Sequence, residues 1–131
     1  MPKLYVDTNI LVDFLTNRQP FEGVANRLMN HIEGKHALAF ASPITFVHAH
    51  YQLRKFATEP ASRVLLEEVA RLVRPIDVSA TVIAEALANE EIRDFEDAVQ
   101  WAICQYHSIE FLITRNQKDF PASGGVTVCD A

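Results

Sequence analysis

Cysteine is scarce. The two in 131 residues are Cys104, inside a helical pattern, and Cys129, at the tail. With no CxxC and no cysteine–histidine spacing, they exclude a disulfide framework and a cysteine-ligated zinc site, and both are expected as reduced, structural thiols. Positive charge is short as well: 12 Lys and Arg stand against 17 Asp and Glu, a formal net charge of −5. That balance excludes a protein that grips nucleic acid through a broad basic stripe. It leaves open an acidic metal site acting on phosphates, where the cation supplies positive charge that the formal count omits. The longest run without Lys, Arg, Asp or Glu, residues 36–53, is broken by three histidines and Pro43 and so does not read as a membrane span, and Asp7 interrupts what would be the apolar part of a signal peptide. Linkers rich in Pro, Gly or Ser, low-complexity runs and repeats are missing too. The expectation is a soluble, cytoplasmic protein with no membrane partner.

Hydrophobic residues are plentiful at 49%, enough to cover one core, so we expect a single domain over residues 1–131. Lys3 to Val6 is a short β-like run ended by Asp7, Thr8 and Asn9, residues suited to a turn or helix cap. Behind it Ile10, Leu11, Phe14 and Leu15 recur at helical spacing. Pro20 announces a one-sided helix carrying Phe21, Val24, Ala25, Leu28, Met29 and Ile32, which Gly34 closes. Ala37 to Ala41 predicts a second strand and Ser42-Pro43 a capped helix start. That helix, reaching about Ala57, carries Phe46, Ala49, Leu53 and Phe56 on one face and Ile44, Val47 and Tyr51 on another. Thr45, His48, Gln52 and Lys55 form a polar stripe between them, and the second apolar face fits core, a dimer contact or a partner surface.

Pro60 opens a further helix that Pro75 stops, Ile76 to Val78 is expected as a brief strand, and Ser79 caps a helix with Val82, Ile83, Ala86 and Leu87. Phe111 to Thr114 and Val126 to Cys129 complete the strands. Strands separated by helices predict βαβ units, hence a three-layer α/β/α fold around a short, mostly parallel sheet.

In such open sheets, ligands gather beyond the carboxyl ends of the strands. Asp7 follows the first strand, while Thr114, Arg115, Asn116 and Asp119 follow the strand begun by Phe111. The stretch RDFEDAVQWA adds Asp94, Glu96 and Asp97 at a helix start. At 3.6 residues per turn, Asp94 and Asp97 lie about 60° apart at the edge of an apolar face made by Phe95, Ala98, Val99, Ala102 and Tyr106. Glu96 falls with Gln100 and His107 on the side expected to be solvated, and Trp101 is placed to wall the site. Acidic residues also suit first helical turns for electrostatic reasons alone. Yet the topology should bring Asp7 and Asp119 to the same rim, and gathered carboxylates repel unless a cation sits among them. Hard oxygen donors suit Mg²⁺ or Mn²⁺, whose bound water can become a nucleophile.

Four segments, YVDTNILVDFL, SPITFVHAHYQLRK, DFEDAVQWA and FLITRNQKDF, in this order and spacing, resemble the PIN domain family, whose VapC-like members are ribonuclease toxins of bacterial toxin–antitoxin pairs. The resemblance implies a parallel sheet between helices, a divalent metal held by acidic residues, and endonucleolytic hydrolysis of RNA. It also implies a homodimer and an antitoxin partner. By position, Asp7 matches the family's first acidic residue, Asp97 the acidic residue of its DxxDA helix and Asp94 the acidic position one turn earlier. Thr114 matches the threonine that ends the strand before the last acidic site, and Asp119 the Asp of the terminal DF. Asp7 and Asp97 are the implied metal ligands, with Asp94, Asp119, Thr114 and Asn116 completing the catalytic set. Asn9, Thr45 and His48 are auxiliary candidates.

Two positions depart from the family pattern. His48 stands three residues after Thr45, where members with a complete site usually carry Glu, and Asn116 stands where many carry Asp. Imidazole is a poor Mg²⁺ ligand and brings no negative charge, so weaker metal binding, a preference for Mn²⁺ or loss of catalysis are the open consequences. His50, between two apolar faces, reads as a hydrogen-bonded packing residue, and His31 and His36 as solvated. Arg54, Lys55, Arg115 and Lys118 are scattered candidates for RNA phosphate contacts. A degenerate RNA-binding or protein-interaction module is the alternative to an enzyme. A phosphatase with an aspartyl nucleophile fits less well, because Asp7-Thr8-Asn9 lacks a second Asp two residues on.

Overall fold

A computed structural model describes residues 1–16, 22–121 and 125–129, apart from the side chains of residues 22, 24 and 25. The chain runs through β1 (Lys3–Val6), α1 (Thr8–Thr16), α2 (Glu22–Glu33), β2 (Leu38–Ala41), α3 (Pro43–Leu53), α4 (Glu59–Leu72) and β3 (Val73–Pro75). It continues through α5 (Ala80–Ala88), α6 (Phe95–Tyr106), β4 (Phe111–Ile113), a 3₁₀ turn at Gln117–Asp119 and β5 (Thr127–Cys129). All four strand pairings are parallel, in the order β3-β2-β1-β4-β5. The expected α/β/α architecture is present. The expected signals at Pro20 and Phe21 lie outside the described residues, as do the side chains of Val24 and Ala25.

Alternation along the strands sorts the two faces of the sheet. Tyr5, Phe40, Leu112 and Val128 pack with Val82 and Ala86 of α5 and with Ala98, Val99 and Ala102 of α6. Their neighbours Val6, Ala39 and Ala41 pack with Ile10 and Leu11 of α1, Met29 of α2, Ala49 of α3 and Val69 of α4. A period of two in the strands therefore buries both faces, as an all-parallel sheet requires. Ser42, Thr58 and Ser79 each accept a backbone N–H at the start of their helices, matching the cap signals at Ser42 and Ser79.

Some elements differ from expectation. The strand after α4 is Val73–Pro75 rather than Ile76 to Val78, because the chain passes straight from helix to extended backbone at Val73. Pro75 is tolerated there since β3 is the sheet edge. α3 ends at Leu53, leaving Phe56 exposed beyond it, and its second apolar face of Ile44, Val47 and Tyr51 is exposed as well. Phe95 and Tyr106, expected on the core face of α6, are 48% and 52% exposed. Both sit at helix ends, beyond the turns that pack inward.

The middle of α6 is buried without a break from Ala98 to Cys104, so this helix has no solvated side over those turns. Gln100, expected in water, is consequently inside. Trp101 is inside too, stacked at 6.2 Å on Phe120.

One buried polar contact ties the sheet to α3. The backbone N–H of Ser42 donates to the Tyr5 hydroxyl at 3.0 Å, with both residues buried. Tyr5→Phe should therefore leave a buried N–H without an acceptor and cost about 1–3 kcal/mol in urea unfolding. A loss below about 0.5 kcal/mol would show that this hydroxyl is dispensable.

Candidate active site

The strand order places the site. From β1 the chain moves outward to β2 and β3, then crosses back to β4 and β5 on the other side. The reversal falls between β1 and β4, where open parallel sheets place their ligands beyond the strand ends. Asp7 leaves β1 there, its N–H bonded to the carbonyl of Ile113 at 3.0 Å, and Thr114 leaves β4 beside it.

Asp7 is only 2% exposed, and each carboxylate oxygen meets one neutral donor. The Thr114 hydroxyl donates to Oδ2 at 2.6 Å, and the Gln100 amide nitrogen donates to Oδ1 at 3.0 Å. Thr114 Oγ1 also accepts the N–H of Asn116 at 3.1 Å, so one hydroxyl fixes Asp7 and the turn that leads to Asp119. Asp119 lies in the 3₁₀ turn, its N–H bonded to the carbonyl of Asn116 at 3.0 Å.

Asp94 is not a helical residue paired with Asp97 on one face. It is the N-cap of α6, extended at φ −80° and ψ 126°, and its Oδ1 accepts the N–H of Asp97 at 3.0 Å. The cap turns the backbone so that Asp94 and Asp97 both border a cleft of about 590 Å³. Asp7, Asp119, Asn9 and Asn116 line the same cleft. Burial together with the charges of Asp7, Asp94, Asp119 and Glu96 pushes the Asp97 carboxyl up to about 7.

Glu96 corrects the sequence expectation. It remains partly exposed but also borders the cleft, and Oε1 accepts the Thr8 hydroxyl at 3.1 Å while Oε2 meets His48 Nδ1 at 3.2 Å. The Thr8 hydroxyl lies 2.8 Å from that of Thr45. Thr45 and His48 therefore meet the site through Thr8 and Glu96 and border an adjoining groove rather than the cleft.

The candidate cations separate clearly. Lys118 lines the cleft, joined by Arg93, which the sequence reading did not single out. Arg54 is drawn to Glu59 at 3.2 Å, and Lys55 lies 3.2 Å from Gln52 and over the Tyr51 ring. Arg115 bonds Asp13 through Nε at 2.9 Å and Nη2 at 3.3 Å, with Asp13 only 1% exposed. His50 pairs with Glu59 at 2.9 Å, in keeping with a hydrogen-bonded packing role, and His31 and His36 are exposed and stacked on each other. Gln100, Glu96, Thr8 and Asp13 were the residues missed. The available signal for Gln100 was its position one turn after Asp97, which repeats the same helical face.

The donor set suits a hard cation, since every acidic group in the cleft offers oxygen. Among the described residues, no three His, Cys, Asp or Glu side chains converge into a closed metal cage. Mg²⁺ and its relatives do not need one, because they commonly bind through one or two carboxylates and keep several waters. Asp7 and Asp97 both border the cleft and offer carboxylate oxygens of that kind.

A model of the PIN domain family matches residues 3–118. No curated protein matches the sequence. Among solved structures, a chain of a toxin–antitoxin complex from Klebsiella pneumoniae is 28% identical, covers 95% of each chain and superposes with a TM-score of 0.72. VapBC2 from Rickettsia felis, bound to a promoter DNA fragment, is similar at 16% identity over 98% of each chain, with a TM-score of 0.71. VapC20 from Mycobacterium tuberculosis, a toxin that cleaves the Sarcin-Ricin loop, is similar at 17% identity. It covers 83% of this chain and 86% of its own, with a TM-score of 0.64.

Two outcomes are expected from these contacts. The folded state holds the Asp97 proton more tightly than the unfolded chain, whose value is 3.8, so this stabilising contribution is complete below that value and is lost as pH rises through about 7. The urea midpoint of metal-free protein should fall between about pH 5 and pH 8, and Asp97→Asn should flatten that fall. Parallel curves for the two proteins would reject the assignment. Arg115→Ala should lower stability in urea unfolding by about 3 kcal/mol, by taking the guanidinium away from the buried Asp13 carboxylate. Unchanged stability in the variant would overturn this structural role for Arg115.

Proposed function

The chain belongs to the PIN domain family, and from that premise we propose that it is a divalent-metal-dependent endoribonuclease, the toxin of a toxin–antitoxin pair. One observation carries this reading: Asp7, Asp94, Asp97 and Asp119 border a single cleft at the switch point of a parallel sheet. The toxin structures that the chain resembles support it.

Asp7 and Asp97 would hold Mg²⁺ or Mn²⁺ in the cleft that both border. Such an ion, when bound, lowers the pKa of a coordinated water and offsets charge that builds on the phosphoryl oxygens. Asp94 and Asp119 would orient the attacking water, and Thr114, backed by the N–H of Asn116, keeps Asp7 turned toward the cleft. Asn9 adds a neutral polar group at the rim. Lys118 and Arg93 would meet phosphates of the bound RNA strand.

The complexes formed by similar toxins support an antitoxin partner for this chain. Exposed Ile44, Val47 and Tyr51 offer apolar surface for that partner or for a second copy in a homodimer. A second reading has one observation in its favour. His48 is taken up by Glu96 and Asn116 is neutral, so the cleft has fewer anionic groups than a complete family site. A PIN-fold module that binds RNA or protein without cutting is the form that reading takes.

Purified protein incubated with RNA and Mn²⁺ should cleave it internally, more weakly with Mg²⁺ and not at all with chelator. Asp7→Asn and Asp97→Asn should each reduce the rate about a hundredfold or more. Cleavage that persists in chelator or in Asp97→Asn rejects the proposal. RNA binding without cleavage under every condition favours the second reading.

A further inference from the structure

We infer that Gln100 is a positioning residue for this site, whose amide sets the orientation of Asp7 and its distance from Asp97. The inference rests on the proposed metal site and extends it to a residue that does not itself line the cleft.

Gln100 is 1% exposed and lies in the turn of α6 after Asp97, on the same helical face. Its Nε2 donates to Asp7 Oδ1 at 3.0 Å across 93 residues of sequence. The other end of the amide, Oε1, is buried without a hydrogen-bond partner. Burying an amide oxygen in this way costs free energy that Met or Leu of similar size would not incur, so packing alone is a poor reason for Gln here. The alternative amide orientation is excluded by charge, since it would set Oε1 against a carboxylate oxygen.

The consequence is mechanical. Asp97 and Gln100 are neighbours on one rigid helix, and Gln100 grips the side chain that leaves β1. A single element thus sets the gap between the two proposed metal ligands. Thr114 holds the other oxygen of Asp7 from β4, so the carboxylate plane is fixed from two independent elements. Outer donors of this kind orient metal-ligating carboxylates and commonly alter affinity tenfold to a hundredfold.

Gln100→Met keeps the volume and helix propensity while removing the donor, and Gln100→Glu keeps the shape while placing a second carboxylate against Asp7. Mn²⁺ affinity measured by calorimetry should weaken about ten- to a hundredfold in Gln100→Met, with the melting temperature lowered only modestly, because removal of the unpartnered Oε1 partly offsets the donor lost to Asp7. In Gln100→Glu, where a carboxylate replaces the donor, Asp7 should likewise lose its fixed orientation. Under RNA cleavage the deficit in Gln100→Met should shrink as Mn²⁺ is raised toward saturation, a recovery that a general packing defect would not give. A metal-free crystal structure of Gln100→Met should show the Asp7 carboxylate rotated or spread over more than one orientation. Wild-type Mn²⁺ affinity in Gln100→Met, or an unmoved and ordered Asp7, overturns the inference while leaving the nuclease proposal intact. Wild-type protein that binds no Mn²⁺ fells the metal reading instead, and the orientation of Asp7 in the metal-free variant still decides the role of Gln100.

Discussion

A carboxylate with almost no solvent exposure must draw its stabilisation from neighbouring donors, and the region around Asp7 is organised by that demand. β1 delivers Asp7 at the centre of the sheet, β4 delivers the Thr114 hydroxyl, and α6 delivers the Gln100 amide. Three segments far apart in sequence are therefore held to one another by a single anion. Both donors are neutral, so they hold the group without cancelling its charge. A lysine or arginine in either place would have neutralised it, and the cleft would have lost its attraction for a cation.

The surrounding charges work in the other direction. Asp94, Asp97, Asp119 and Glu96 border the same cleft as Asp7, and burial first, with the repulsion among these charges added to it, raises the Asp97 carboxyl. Local devices limit the strain. The Asp94 carboxylate caps a helix, where the backbone N–H groups favour negative charge. Glu96 is turned aside by Thr8 and His48. His48 thus acts on an acidic neighbour instead of standing in the cleft as a substitute for a carboxylate, which alters the meaning of the sequence departure at that position.

Much of this was legible in the sequence because it depends on local chemistry. The β-like run before Asp7, the cap signals at Ser42 and Ser79, and the acidic positions after strand ends follow from short-range preferences and topology. The errors arose where long-range packing overrides a local pattern. Gln100 was assigned to solvent by assuming that α6 has one wet side, but its middle turns are enclosed all round, while Glu96, nearer the helix start, is partly exposed and drawn to Thr8 and His48. The strand after α4 was placed beyond Pro75, although an edge strand accepts that proline. The Arg115–Asp13 pair joins residues 102 positions apart, a contact that no spacing rule can supply.

The segment between Arg115 and Phe120 is tethered at both ends. Arg115 is fastened to Asp13 on α1, and Phe120 is stacked on Trp101 of α6. Only four residues, Asn116 to Asp119, span the gap, and a 3₁₀ turn takes up most of their slack. Such a short arch cannot swing aside as a flap. Any ligand that enters the cleft therefore meets a nearly fixed edge on this side, so admission falls to the shape of the ligand more than to motion of the protein.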